Sequence, residues 1–580
     1  MLRRFLIGAL LASLAVVVPT PASAAVTQVL MPNVSYSRQV QFTAHGPVVL
    51  HVITAPRPGG LYQLKPILSN SAITGTERVT AMQKDVGATA TAAGVNGDLF
   101  NFKDGHPSGM LMQDGVLESP PYRFRSSIGI GADGKLNVAR VSFFGYWQGL
   151  GQRRPLTGLN QPPKGDGTSL FTPTYGAATP RVAGAVEAVI EPYPPATVGG
   201  DLVGPVTVTA LTGGGTPIPR DGAVLMAKGS QASKLAVEAP PPTQLITHLI
   251  LSPDWHTAGI TNALGGGPVI VRGGKAVWTA GEDFLPSQLG PRVPRTAVGQ
   301  RRDGKILLVA VDGSRRGYSV GLTNWELAQA MTRLGAVTAS ALDGGGSTTM
   351  AFDGRLLNRP SGRERPVAES LSVLYSGVYA PQPTYPVLSP NGDGVAERQQ
   401  LAFKIVRPST VTQSLVGPGD VTAYTLTDER NPGVYKLSWP SPAARRRATD
   451  PRGRWRWIVT AVDDQGQKSA VERSFWLNDT LGFMRVAPAS VKLRQTKRNS
   501  IVARFRLAYR ARVTPSIWTR GGVLVRRLPA QTLKPGTRSI AWNGRFRNGR
   551  LVYGGRYVFR VFAQNTFGPS DLTQTFSVRR

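Results

Sequence analysis

The 580-residue chain contains no cysteine. Disulfides, thiolate nucleophiles and cysteine-ligated metal sites are therefore excluded, and folding rests on apolar cores. Acidic residues are scarce: 34 Asp and Glu stand against 67 Lys and Arg, a formal net charge of +33. The shortage is steepest over residues 481–580, which hold 21 Lys and Arg and a single acid, Asp571. Such an excess is either a solvated basic surface or an attraction toward a polyanion. No nucleic-acid recognition motif accompanies it, so nucleic acid is not the expected partner.

Long apolar runs are also missing. The N-terminal run Phe5–Val18 is too short for a comfortable membrane span. Arg3 and Arg4 precede it and Ala22-Ser23-Ala24 follows. That order predicts a secretory signal over 1–24, cleaved after Ala24. The mature protein is expected to be secreted or held at the cell wall, without a transmembrane segment. The polyanions available there are teichoic-type wall polymers, acidic glycans and anionic membranes.

What is present is a foldable, turn-rich chain. Hydrophobic residues make up 41%, with 66 Gly and 46 Pro, a composition that suits short strands joined by many turns. The length predicts three to four domains. Asp-Gly or Gly-Gly pairs separate apolar segments at Asp114-Gly115, Asp133-Gly134, Gly273-Gly274, Asp303-Gly304 and Asp353-Gly354, as two-residue hairpin turns require. A helix is expected near Glu77–Lys84. A second is marked by Thr323 as N-cap, Glu326 three residues on, and Leu327, Met331 and Leu334 on one face, with Gly335 as terminator. Residues 142–250 read as a less regular insertion or small β subdomain. A Pro-rich boundary, 379–390, precedes two β-rich units at about 386–480 and 481–580.

Four stretches carry the chemistry. Leu342-Asp343-Gly344-Gly345-Gly346-Ser347-Thr348 runs from an apolar strand into a carboxylate, three glycines and hydroxyls. Its backbone can form an anion nest, and Asp343 sits where acid/base, nucleophilic or metal-binding work is done. The bland alternative is a tight turn between strands. Asn96-Gly97-Asp98 places an amide and a carboxylate at a strand end, for sugar hydroxyls or a cation, or as an Asx-rich turn. Arg295 precedes a strand, where its planar guanidinium suits phosphate. Asp312-Gly313 follows the strand Ile306–Val311 and is either a hairpin turn or part of the site.

In this order the pieces resemble the phosphodiester glycosidase family: Asn96-Gly97-Asp98, Gly109–Gly115, Arg295-Thr296, Asp312-Gly313, Ser319–Thr323, Leu342–Ser347, Asn358-Arg359-Pro360 and Arg365-Pro366-Val367-Ala368. The chain departs from the family pattern at Asp98-Leu99, where Gly-Phe or Asp-Phe is common, and at Ser314, where an Arg often follows the Asp-Gly. The resemblance implies a β-rich α+β catalytic domain over 25–380 with few helices. It also implies an enzyme that cleaves a sugar C1–O bond in a sugar-1-phosphodiester. A phosphate ester is a good leaving group, so the site needs phosphate-binding charge and one carboxylate more than a strong general acid. On this reading Asp343 is the carboxylate, with Asp98 or Asp312 as the second. Arg295 and the Gly344, Gly345, Gly346, Ser347 and Thr348 loop bind phosphate, and Asn96 orients the sugar. No cofactor is required. The alternatives are a wall-binding protein without turnover and a phosphodiesterase cleaving P–O.

The C-terminal units resemble bacterial Ig-like modules, the last one the flagellar hook-capping type, so two all-β sandwiches are expected to follow the catalytic domain. Within Asn391-Gly392-Asp393-Gly394, Asp393 is a candidate Ca²⁺ ligand, since alternating oxygen donors suit that ion. The basic 481–580 module is the expected contact for an anionic wall polymer.

Overall fold

The computed structural model describes residues 24–122, 124–278, 281–439, 451–495 and 499–579. All but the last residue of the expected signal segment, 1–24, lies outside them. The chain divides into two compact units, one over residues up to 374 and the other over 375–580, the second also including Val86–Thr91. Strands dominate both, and helices are few.

In the first unit an eight-stranded sheet carries Gly46–Ala55, Ile306–Val311, Arg295–Arg301 and Ala336–Leu342 as consecutive neighbours. Ile306–Val311 is buried at every position, which explains its unbroken apolar run. The helix Asn324–Arg333 covers this sheet through Leu327, Ala328 and Met331. Its N-terminus has the expected capping box: the Thr323 hydroxyl accepts from Glu326 N–H (3.1 Å), and the Glu326 carboxylate accepts from Thr323 N–H (2.9 Å). A five-stranded sheet places Met350–Phe352, Thr91–Asn96 and Glu369–Tyr375 side by side. The first helix runs Val79–Asp85. Asp114-Gly115, Gly273-Gly274 and Asp353-Gly354 have positive φ at both positions, as type I′ turns demand.

Residues 142–252 are more regular than the sequence suggests. They contribute to an eight-stranded sheet, with the helix Ser230–Glu238 sharing its core. Central strands such as Ala223–Ala227 are wholly buried, so no polar–apolar alternation announces them, and Pro- and Gly-rich connections mask their spacing.

The second unit holds two successive pairs of sheets. A five-stranded and a two-stranded sheet enclose Phe403, Trp455, Trp457 and Phe475. A three-stranded and a six-stranded sheet enclose Phe505, Trp542, Phe559 and Phe576. No helix of the described residues is long and apolar enough to cross a membrane.

Candidate active site

Three strand ends build the site. The buried strand Thr91–Asn96 leads through Gly97 into Asp98. Ala336–Leu342 leads into Asp343, and Glu369 opens the strand Glu369–Tyr375. Backbone bonds tie the ends: Gly97 N–H donates to the Glu369 carbonyl (2.8 Å), and Asp343 N–H donates to the Gly97 carbonyl (3.1 Å). Asn96 fastens the seam. Its amide donates to the Gly97 and Asp343 carbonyls (3.2 and 2.8 Å), and its Oδ1 accepts from the Thr296 hydroxyl (2.8 Å) and Thr349 N–H (3.1 Å). The residue expected to orient a sugar thus orients the two loops that carry Asp98 and Asp343.

Glycines let the carboxylates pack against backbone. A Cβ on Gly265 would lie 2.1 Å, and one on Gly109 2.5 Å, from Asp98 Oδ2. A Cβ on Gly97 would lie 2.5 Å from Glu369 Cγ. Any larger residue at these positions displaces a carboxylate or its support.

Asp98 is 3% exposed and Glu369 1%. Asp98 Oδ1 lies 3.4 Å from Arg125 Nη1, and Glu369 Oε1 accepts the Asp98 N–H at 2.9 Å. Asp98 Oδ2 and Glu369 Oε2 are buried with no hydrogen-bond partner. Burial pushes the Asp98 carboxyl up, against the pull of Arg125 and the Leu99 N–H. Burial also holds Glu369 well above the carboxylate range, reinforced by the charges of Asp98 and Asp343. Asp343 is pushed up to about 6, first by burial; a hydrogen bond with Ser347 opposes the shift and the Asp98 charge adds to it. Burial thus raises all three carboxyl groups, and the Asp98 charge adds to the shift at both Asp343 and Glu369, so the cluster resists full ionisation.

Arg365 is the cation beside Asp343 and helps restrain its shift. Its Nη1 lies 3.3 Å from Ser347 Oγ, it packs on Gly346 and it sits over the Phe102 ring at 5.3 Å. In the Gly344–Ser347 loop, Gly345 has φ +59° and donates its N–H to the Pro294 carbonyl. The N–H groups of Ser347 and Thr348 bond back to the Gly344 and Gly345 carbonyls. The Thr348 hydroxyl is buried against that of Thr296 (3.3 Å). The loop's N–H groups therefore mostly hold its own shape and do not form an open nest.

Two expected site residues lie next to the Gly344–Thr348 loop but have their polar groups engaged in other contacts. Arg295 is buried, and it donates to four carbonyls, those of Leu322, Gln288, Leu289 and Pro291, at 2.9–3.1 Å. It clamps the segment ahead of its strand, and this use of its donors keeps it from acting as a phosphate fork. Asp312 accepts from His51 Nε2 (2.9 Å), the Tyr318 hydroxyl (2.9 Å), Asn358 Nδ2 (3.1 Å) and Arg359 N–H (3.1 Å). Burial raises its carboxyl, but the His51 bond and charge outweigh that and hold it below the usual range. It is a fully satisfied ion in a structural network, whereas the Asp98, Glu369 and Asp343 carboxyl groups are all raised.

In the second unit, Asp393 Oδ1 accepts from Val395 N–H and Oδ2 from Phe483 N–H, both at 2.8 Å. Asn391 Oδ1 accepts from Asp393 N–H (3.0 Å), and Glu397 accepts from Gly392 N–H (2.7 Å). The side-chain oxygens that suggested Ca²⁺ thus accept backbone N–H groups. Among the described residues no group of three or more His, Asp and Glu could hold a metal.

Sequence reading missed Glu369 and Arg125 as members of the site. The available signal was a lone acid heading an otherwise apolar strand, Glu369–Tyr375, and an arginine between aromatic residues and a buried strand. A cleft of about 930 Å³ adjoins Arg125 and is lined by Leu99, Asn101, Ser108, Tyr122 and Phe284. Arg125 stacks over the Tyr122 and Phe284 rings, 5.2 and 5.8 Å away. Polar and charged side chains such as Asp104, His106, Gln161 and Asp283 share the lining with these aromatic rings, a mixture that suits a polar ligand.

Residues 196–374 match the sequence model of the phosphodiester glycosidase family. The chain is 38% identical over 90 residues to the SPbeta prophage-derived uncharacterized protein YomE of Bacillus subtilis (strain 168), covering 15% of this chain and 14% of that protein. It is 42% identical over 67 residues to N-acetylglucosamine-1-phosphodiester alpha-N-acetylglucosaminidase of Bos taurus, covering 12% of each. The chain thus spans only a small part of these curated relatives' length. A hypothetical protein from Synechocystis has a similar fold, with a TM-score of 0.52 and 26% identity over 61% of this chain and 64% of that one. Two of the three clustered carboxylates, Asp343 and Glu369, lie within residues 196–374, the span that matches the phosphodiester glycosidase family model.

Proposed function

We propose that the first unit hydrolyses a sugar-1-phosphodiester at the sugar C1–O bond. The observation that carries this reading is the cluster of three buried carboxyl groups with raised pKa, Asp98, Glu369 and Asp343, beside Arg365. The C1–O bond breaks, the phosphate leaves as a monoester with its oxygen, and a water oxygen bonds to C1. Arg365 faces the charge on the departing phosphate. At neutral pH Asp343, at about 6, is largely ionised and supports the oxocarbenium-like carbon or takes the water proton. Glu369 keeps its proton and limits repulsion within the trio. The reaction so written needs no cofactor.

The same reading makes the protein secreted, with 1–24 as its signal. The two sheet pairs of the second unit are then Ig-like modules that hold it near its substrate.

The test is hydrolysis of N-acetylglucosamine-α-1-phosphodiesters in ¹⁸O-water. Label in the sugar supports the proposal, and label in the phosphate shows P–O cleavage instead. Affinity without product identifies a binding protein.

A further inference from the structure

In the last module the three-stranded sheet Leu481–Ala487, Ile501–Leu507 and Gly536–Trp542 turns one face to the core and one outward. Ile501, Ala503, Phe505 and Leu507 point inward and are buried, while Arg504 and Arg506 are exposed. The register sets Arg485 directly opposite Arg504. On the other side Arg504 faces Ser539, and Arg506 faces Thr537. Like charges directly opposite one another across strands destabilise a sheet, and nothing in the module relieves them. Its one acid, Asp571, is bound by Arg560 through two contacts of 2.9 Å. Among the described residues no salt bridge involves Arg485, Arg504 or Arg506.

We propose that this outer face, Arg485, Arg504 and Arg506, binds a linear polymer with a phosphodiester in each repeat, and that such a polymer is the substrate class of the first unit. The second clause rests on the proposed hydrolase reading. Residues two apart on a strand are about 7 Å apart and neighbouring strands about 4.8 Å apart, so the three guanidiniums form an L-shaped cluster, Arg485 across from Arg504 and Arg506 along the strand, that presents adjacent phosphate forks. Ser539 and Thr537 add hydroxyls and leave the face flat enough for an extended chain. Phe483, 46% exposed, stands beside Arg506, whose guanidinium lies 6.0 Å from the ring. One such aromatic residue does not make a membrane-inserting patch or a base-stacking platform. A tether and a hydrolase on one chain raise the local concentration of scissile bonds.

The experiment compares the full-length protein with the triple variant R485S/R504S/R506S. Binding is measured to poly(glycerol phosphate), to uncharged dextran, to anionic lipid vesicles and to single-stranded DNA over a salt series. The proposal expects the protein to prefer poly(glycerol phosphate). The variant should lose at least tenfold in affinity, and its dependence of log K on log salt should flatten by about 2, as the loss of three phosphate contacts requires. Turnover of a small sugar-1-phosphodiester should be unchanged in the variant, because these arginines lie outside the carboxylate site. Unchanged polymer binding in the variant overturns the face. Tighter binding to vesicles or DNA overturns the polymer assignment. If the wild type fails to turn over the small substrate, the hydrolase reading and the substrate clause fall, while the binding comparison still decides the face.

Discussion

Glu369 accepts the backbone N–H of Asp98 through Oε1 at 2.9 Å, while Glu369 Oε2 and Asp98 Oδ2 are both buried without a partner. The bond fixes one carboxyl group against the backbone that carries another. An unsatisfied buried polar group costs about 1–3 kcal/mol, so the two unpartnered oxygens mark this cluster as kept at a cost in stability.

Glu369→Gln keeps the shape and the acceptor for Asp98 N–H but removes a titrating group. The expected outcome is an unchanged or higher melting temperature with kcat within about tenfold of wild type, because the amide replaces a carboxyl group that keeps its proton; a loss of about 10²–10⁴ would instead give Glu369 a proton-transfer step. Unchanged turnover would make Glu369 a support for Asp98 and nothing more.

Stability should fall as pH rises through the carboxyl window. A carboxyl group with a raised pKa binds its proton more tightly in the folded chain than in the unfolded one. Its contribution is therefore fully present below the unfolded value and is lost as pH climbs through the folded value. For Asp343 the window runs from 3.8 to about 6, and Glu369 extends it upward. Asp312, held low by His51, works in the opposite sense and loses its contribution in acid. Melting temperatures by calorimetry between pH 5 and 8 should decline with pH, and Asp343→Asn should flatten the part below about 6.

The two arginines with opposite surroundings should respond in opposite ways. Arg365→Gln removes a cation beside Asp343 and should raise KM for the phosphodiester tenfold or more with little change in melting temperature. Arg295→Gln leaves buried carbonyls unsatisfied, at about 1–3 kcal/mol for such a group, and should depress melting while the surviving folded enzyme keeps its KM. Thermal melts paired with kinetics separate them, and a KM effect confined to Arg295→Gln would reverse the assignment.

The same pair shows how far the sequence could be read. The helix at 324–333 was legible because Thr323 and Glu326 act within one turn. The turns at Asp114-Gly115 and Asp353-Gly354 were legible because two residues decide them. Asp343 and Asp98 were visible at strand ends. Whether Arg295 or Arg365 faces the site depends on carbonyls from residues 288–291 and 322, which only tertiary structure brings together. Glu369 was hidden because its partner, Asp98, is 271 residues away. Within 142–252, Thr168–Phe171 and Ala223–Ala227 were hidden because burial at every position erases the alternation that marks a strand.

Gly265→Ala tests whether the position of Asp98 matters to the chemistry. The added methyl would lie 2.1 Å from Asp98 Oδ2 and 3.0 Å from Gly109 Cα, so the carboxylate must move. The backbone at 265 is ordinary strand, within Ile260–Gly265, and alanine there brings no left-handed strain. A shifted Asp98 leaves the 3.4 Å contact with Arg125 and changes the charge felt by Asp343. The expected outcome is a folded protein whose kcat/KM falls by at least tenfold. The acid limb of its pH–rate profile, set in the wild type by Asp343 near 6, should move to lower pH as the repulsion from Asp98 weakens. Gly259→Ala is the control, because a Cβ there meets only the Ala132 methyl at 4.0 Å, although its positive φ predicts some loss of stability. If Gly265→Ala lowers stability like the control but leaves the limb in place, Asp98 is a structural acid and Asp343 titrates independently of it.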